Sequence, residues 1–172
     1  MSIMKPRFIE FGDDVARELV AIAADSYYDE QASLTGNLIN SIAGGVYYNK
    51  VLERVITVSK AAGYPAETHT YTFVGDGVFK DYDTGDTVYF VFQYSGPSLR
   101  FQKVDGTGKG KQSAMDFFSS YIPQTSMLEV VICAAAPYAE YLQKKRNLDV
   151  LTTAKSESEK VWVGNYVHIV KL

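Results

Sequence analysis

Leu34 to Ile42 reads Leu-Thr-Gly-Asn-Leu-Ile-Asn-Ser-Ile, and it joins a helical stretch to the first strand-like one. The Thr35 hydroxyl suits a helix cap, and Gly36 permits a backbone angle that other residues avoid. Leu38 and Ile42 lie four apart, on one face of a helical turn, with Ser41 beside that face. The spacing predicts a short helix or turn that ends near Gly44-Gly45, since a glycine pair commonly punctuates a helix.

Upstream, Val15, Leu19, Ile22 and Ala23 recur at helical spacing, and Asp13 and Asp14 stand where acids favour a helix start. A long helix is therefore expected from Asp13 to about Tyr28. Met1 to Gly12, with Pro6 and then Ile9 and Phe11 in alternation, reads as a short strand or an arm, and Asp29 to Ser33 as a polar turn.

Downstream, Val46 to Ser59 is dominated by β-branched residues and Tyr, which favours one strand over a helix. Thr68 to Val74 (THTYTFV) and Thr87 to Tyr94 (TVYFVFQY) are strands by composition. The Gly- and Asp-rich GDGVFKDYDTGD between them makes a hairpin or small meander. Leu99 to Val104 adds a further strand, and Asp105 to Gln112 (DGTGKGKQ) reads as a loop. Ala114, Met115, Phe117, Phe118 and Tyr121 have helical spacing, and that helix ends before Pro123.

Met127 to Ala135 is an apolar strand of the kind buried on both faces. Pro137 is suited to a helix's first turn, with Tyr138, Tyr141 and Leu142 on one side and Lys144, Lys145 and Arg146 at its end. Leu148, Leu151, Ala154, Val161 and Trp162 fit another helix, while Val161 to Leu172 also fits a final strand by alternation. The expected architecture is a single α+β domain spanning residues 1–172. It has a mainly antiparallel sheet, a long N-terminal helix, C-terminal helices and an inserted β-hairpin region at 64–112.

A chain of 172 residues, 47% hydrophobic, suffices for one core. No apolar run reaches the ~20 residues that span a bilayer, and the N-terminus lacks a signal-peptide core, so a cytoplasmic site of synthesis is expected. The single cysteine, Cys133, lies in an apolar run and reads as a small buried hydrophobe. A net charge of -3 disfavours a dedicated nucleic-acid binder. The 13 tyrosines and 9 phenylalanines suit sheet faces or protein interfaces.

Motifs for chemistry are incomplete. GTGKGKQ lacks the glycine five positions before Gly110-Lys111 and the hydroxyl residue after it that a phosphate loop requires. The DYDTGD acids Asp81, Asp83 and Asp86 have Phe92 where a calcium loop wants its last acidic ligand. His69 and His168 have no ligand-spaced neighbours, and no serine sits in a nucleophile-elbow signature. No catalytic, cofactor-binding or metal-binding set is expected.

The string Thr35-Gly36-x-Leu38-x-x-Ser41-Ile42 after an amphipathic helix resembles the minor structural proteins that complete the head-to-tail junction of tailed bacteriophages. Ala136-Pro137-Tyr138-Ala139-x-Tyr141-Leu142, following a hydrophobic strand, resembles a second segment of the same proteins. The likeness covers roughly 13–58 and 114–162. The sequence departs from it at Gln143-Lys144-Lys145-Arg146, where relatives often carry Glu-x-Gly.

The resemblance implies a non-enzymatic virion protein of a phage or prophage, assembled in the bacterial cytoplasm, with no cofactor and no membrane contact. It implies a homo-oligomeric ring at the neck that touches portal, adaptor or tail proteins and lets DNA pass without specific binding. In the unmatched middle, Phe79, Tyr82, Tyr89 and Phe92 are the candidate interface aromatics. The alternative from composition is a β-rich ligand-binding module, with carbohydrate as one ligand class and tyrosines as stacking platforms.

Overall fold

The computed structural model describes residues 4–28, 38–59, 67–75, 78–88, 107–136, 139, 150–161 and 167–169. Helix α1 is Met4–Tyr28, α2 is Thr107–Ser120 and α3 is Val150–Val161. The strands are β1 Ile42–Tyr48, β2 Val51–Ser59, β3 Glu67–Gly75, β4 Val78–Asp81, β5 Thr87–Val88, β6 Leu128–Ala134 and β7 Val167–Ile169. They form one sheet in the order β5-β4-β3-β2-β1-β6-β7, antiparallel from β5 to β6, with β7 parallel to β6. The α+β class expected from the sequence is the observed one.

The sheet is the middle of three layers. Val15, Ala16, Leu19, Val20, Ala23 and Ala24 of α1 pack with Leu151 and Ala154 of α3 over one face of the sheet, against Ile42, Val46, Ile56 and Val130. Ala114, Met115 and Phe118 of α2 pack over the other face, against Ala43, Tyr47, Val55, Val131 and Cys133. Successive residues of β1 thus feed opposite cores, as the pleat requires. Both faces being covered, β1 and β6 are buried along six of their seven residues each, which explains their apolar runs.

Gly44-Gly45 does not stop a helix; it lies in the middle of β1. A methyl on Gly44 would stand 3.1 Å from Ala16, Val20 and Ile132, and one on Gly45 would stand 2.6 Å from the Phe118 ring. Gly12 in α1 is as crowded, 2.7 Å from Val46. The glycines are there because helices on both sides come within touching distance of the β1 backbone. Close approach, rather than a turn, is what they permit.

Four more expectations are corrected. Met4–Gly12 is helical, forming the first turns of α1. The short helix or turn expected to end near Gly44-Gly45 is, in its described part, a 3-10 turn at Ile39–Ser41 that gives way to β1 already at Ile42. Val46 to Ser59 is two strands joined at Asn49-Lys50, whose φ angles of 50° and 65° are those of a two-residue hairpin turn. Asn tolerates that region well, but Lys in place of the usual Gly hides the signal. Thr107 to Gln112, read as loop, is the first half of α2, with Gly110 buried.

The described residues of 64–112 pack into the core. β3 runs along β2 from Glu67 to Thr72, and Tyr71 and Phe79 join the α2-side core. Both late readings of the C-terminus hold in turn: a helix to Val161, then a strand at Val167–Ile169. The expected strand at Leu99 to Val104 and the expected helix beginning at Pro137 fall outside the described residues, apart from Ala139.

Gly45→Ala should lower stability by about 1–3 kcal/mol through overpacking against Phe118, although a Gly to Ala change in unstrained backbone normally stabilises slightly. Phe79→Ala, which opens a cavity at a site 1% exposed, should cost about 3–5 kcal/mol. Denaturant melts with two-state fits check both; an unchanged midpoint for Phe79→Ala would mean that β4 lies outside the cooperative core.

Candidate functional site

The described parts of the two segments that carry the phage resemblance, 38–42 and 136 with 139, meet in space. β1 and β6 pair from Ile42↔Ala134 to Tyr48↔Leu128, which sets the end of the first segment beside the start of the second. The Ala135 N–H donates to the Ser41 carbonyl at 3.1 Å. Ser41 donates its own hydroxyl (2.7 Å) and N–H (3.1 Å) to the Leu38 carbonyl, which fastens the 3-10 turn. Leu38, Ile39 and Ala136 are buried in one core, Ala139 packs against it, and the Ala139 N–H reaches the Ala136 carbonyl at 2.8 Å.

Leu38 and Ser41 are therefore structural, as is Ala139. Thr35, Gly36, Pro137, Tyr138 and Tyr141 lie outside the described residues, as do Tyr89 and Phe92 of the candidate interface. Phe79 is in the core and presents no free surface, which corrects its assignment as an interface residue. Tyr82 is exposed, with the Arg54 guanidinium 4.7 Å from its ring centre.

A second feature has no counterpart in the sequence reading. Glu129, in the middle of an apolar strand, is 0% exposed. Its Oε1 accepts from the Tyr121 hydroxyl and its Oε2 from the Thr125 N–H, each at 2.8 Å. A carboxyl group out of water is costly unless hydrogen-bonded, and here both oxygens are used to hold the segment from Tyr121 to Met127. The signal was one acid within Leu-Glu-Val-Val-Ile, at a position where the strand pattern demanded an apolar residue.

Tyr47, the β1 partner of Glu129, donates its hydroxyl to the Phe118 carbonyl at 3.0 Å and packs against Tyr121 with ring centres 5.4 Å apart and planes tilted by 48°. Burial raises the Tyr47 phenol strongly, and its neighbours Cys133, Tyr121 and Glu129 add to this. Burial, reinforced by the hydrogen bond and charge of Glu129, pushes Tyr121 up to about 12. Burial likewise raises the Cys133 thiol, which makes it inert as a nucleophile at neutral pH.

The Tyr121–Met127 segment carries two exposed apolar side chains, Ile122 and Met127. The Asn49 N–H donates to the Met127 carbonyl at 3.2 Å, so the β1–β2 turn and this segment adjoin. Ile122 is 77% exposed, Met127 62% and Val51 56%. At the far edge of the sheet, the turn Asp81 to Asp86 is tied by its own side chains. Asp81 Oδ1 accepts from the N–H groups of Asp83 (2.9 Å) and Thr84 (2.8 Å), and Asp86 accepts from the Thr84 hydroxyl (2.9 Å). These bonds, that of the Thr84 N–H foremost, hold the Asp81 carboxyl below the usual range.

Among the described residues, no group of three or more His, Cys, Asp or Glu is placed to hold a metal, and no helix is long and apolar enough to cross a membrane. No protein-family model, curated protein or solved structure matches the chain.

Tyr121→Phe removes one of the two bonds to the Glu129 carboxyl and should cost about 1–3 kcal/mol. Because Tyr121 is held neutral above the ordinary tyrosine value of about 10, its contribution is fully present below pH ~10 and lost as pH rises through about 12. Stability should therefore fall over that window in the parent and fall less in the variant. Urea melts across alkaline pH, with tyrosinate absorbance as a second readout, check the sign; equal slopes would refute it.

Proposed function

We propose that the chain is a structural subunit of a tailed bacteriophage or prophage, part of the head-to-tail connector or tail-completion assembly, acting through ring formation and protein contacts rather than catalysis. The observation that supports this reading is the meeting of its two matched segments. Ser41 and Ala135 are distant in sequence, yet they are joined by a backbone hydrogen bond at one end of the β1–β6 pair. Two short strings that resemble a family by chance have no reason to adjoin, whereas two parts of one structural unit do.

The large apolar side chains of Ile122 and Met127, both exposed within one short segment, are a second support, since exposed apolar surface commonly marks protein contacts. The virion location, the portal, adaptor or tail proteins as neighbours, and a channel for passing DNA all belong to this proposal. An acidic subunit, at net charge -3, suits a wall past which DNA moves without sticking.

Sedimentation velocity and negative-stain microscopy of the purified full chain should reveal a closed ring with a central opening, alone or on addition of phage portal, adaptor and tail proteins. A chain that stays monomeric under both conditions would overturn the proposal.

A further inference from the structure

We infer that the ring contact, which rests on the assembly reading above, joins two different corners of the subunit. Lys50, Ile122 and Met127 of one copy seat against Tyr82 and Asp83 of the next. The first corner is the end of the sheet where β1 turns into β2 and the Tyr121–Met127 segment enters β6. The second is the β4–β5 turn on the opposite side of the same sheet, three strands beyond β1, opening toward the other strand ends.

Three observations converge on the first corner. A fully buried carboxyl group is committed to fixing a segment whose large side chains, Ile122 and Met127, face solvent. The Gln124 amide donates to the Ile122 carbonyl at 3.0 Å, and Met127 is bonded to the neighbouring turn, so the display is rigid. Ordering it before contact removes an entropy cost from association. The segment itself, Tyr-Ile-Pro-Gln-Thr-Ser-Met, contains no charged residue, and the exposed charge beside it is the cation Lys50.

The second corner is complementary in both respects. Tyr82 offers an exposed ring, backed by the Arg54 guanidinium, for apolar contact. Asp83 and Asp86 are exposed acids within a turn made rigid by Asp81 and Thr84. The Asp83 side chain is not one of the groups fastening that turn, which leaves it to face a cation. Unlike patches in contact repeat head to tail, and closing that repeat by rotation gives a ring, whereas a self-complementary patch would stop at a dimer.

The test is reciprocal charge exchange in the full chain, read by sedimentation velocity. Aspartate accepts the left-handed backbone of Lys50, so Lys50→Asp leaves the turn intact, and Asp83→Lys changes only a surface side chain. Each single variant should weaken assembly about tenfold, and the pair together should recover most of it. Ile122→Ser should weaken it at least as much without lowering the melting midpoint. Raised salt should weaken the parent and have less effect on Ile122→Ser combined with Lys50→Asp.

Failure separates the two claims. If the parent forms no assembly, alone or with the neighbouring neck proteins, both fall. If the parent assembles while all three single variants assemble as tightly, the subunit role stands and this contact is wrong. Singles that weaken assembly without recovery in the double variant likewise refute the pairing of Lys50 with Asp83.

Discussion

The fold depends on how closely two helices can press on one strand. β1 is sandwiched between α1 and α2, and at Gly44 and Gly45 a side chain on either face would collide with Ala16 and Val20 or with the Phe118 ring. Removing those two side chains brings helix surfaces onto strand backbone, so that Ala16 and Phe118 make van der Waals contact where a larger β1 residue would hold the layers apart. β1 is also the hinge of the topology, since it pairs with both β2 and β6 and receives the chain from the 3-10 turn. A shift of β1 by one residue would exchange its two cores and bring Val46 and Tyr47 onto the wrong helices.

Around this strand the polar anchors are few, and each ties one layer to another. Asp13 of α1 accepts from Arg17 at 2.7 Å and from the Thr70 hydroxyl of β3 at 3.1 Å, fixing the helix across the sheet. Lys5 bridges to Glu53, the extra residue at the β1–β2 bulge, 2.6 Å away. With Lys5 half-exposed, that pair adds little stability. Glu129 does the corresponding task on the α2 side, joining β6 to the end of α2 and to the segment that follows it.

What was legible in the sequence was whatever periodicity controls. Val15, Leu19 and Ala23 marked α1, THTYTFV marked β3 and the apolar run LEVVICA marked β6, each because one burial pattern fits one geometry. What was hidden depended on distant partners. Gly44-Gly45 reads as a stop by local chemistry, and only the approach of Ala16 and Phe118 makes it strand. Thr107 to Gln112 reads as loop by its glycines, yet it is carried into helix by the packing of Ala114, Met115 and Phe118 that follow. Glu129 is hidden for a different reason: its partners, Tyr121 and Thr125, are only eight and four residues away, but they reach it through an irregular turn that no periodicity marks. Phe79 reads as surface in the sequence because its strand lies in a stretch of turn residues. Its true environment is set by Phe73 across the pairing and by α2 beyond.

The same features that stabilise the subunit shape what it can do. A three-layer core built on β1 leaves the sheet's turns and edges as the places where sequence is free to vary, and both exposed corners, at Ile122 and at Tyr82, lie there. Each is rigid for internal reasons, one through a buried carboxyl group and the other through an aspartate that caps its own turn. Rigid surfaces lose little freedom when they meet, so a modest contact repeated around a ring can hold, provided every copy presents the same geometry. Under the proposed assembly role, the closely packed interior is what makes that geometry repeatable. A subunit whose layers could slide at Gly44 and Gly45 would offer its neighbours corners at varying separations, and a head-to-tail series with a varying angle does not close.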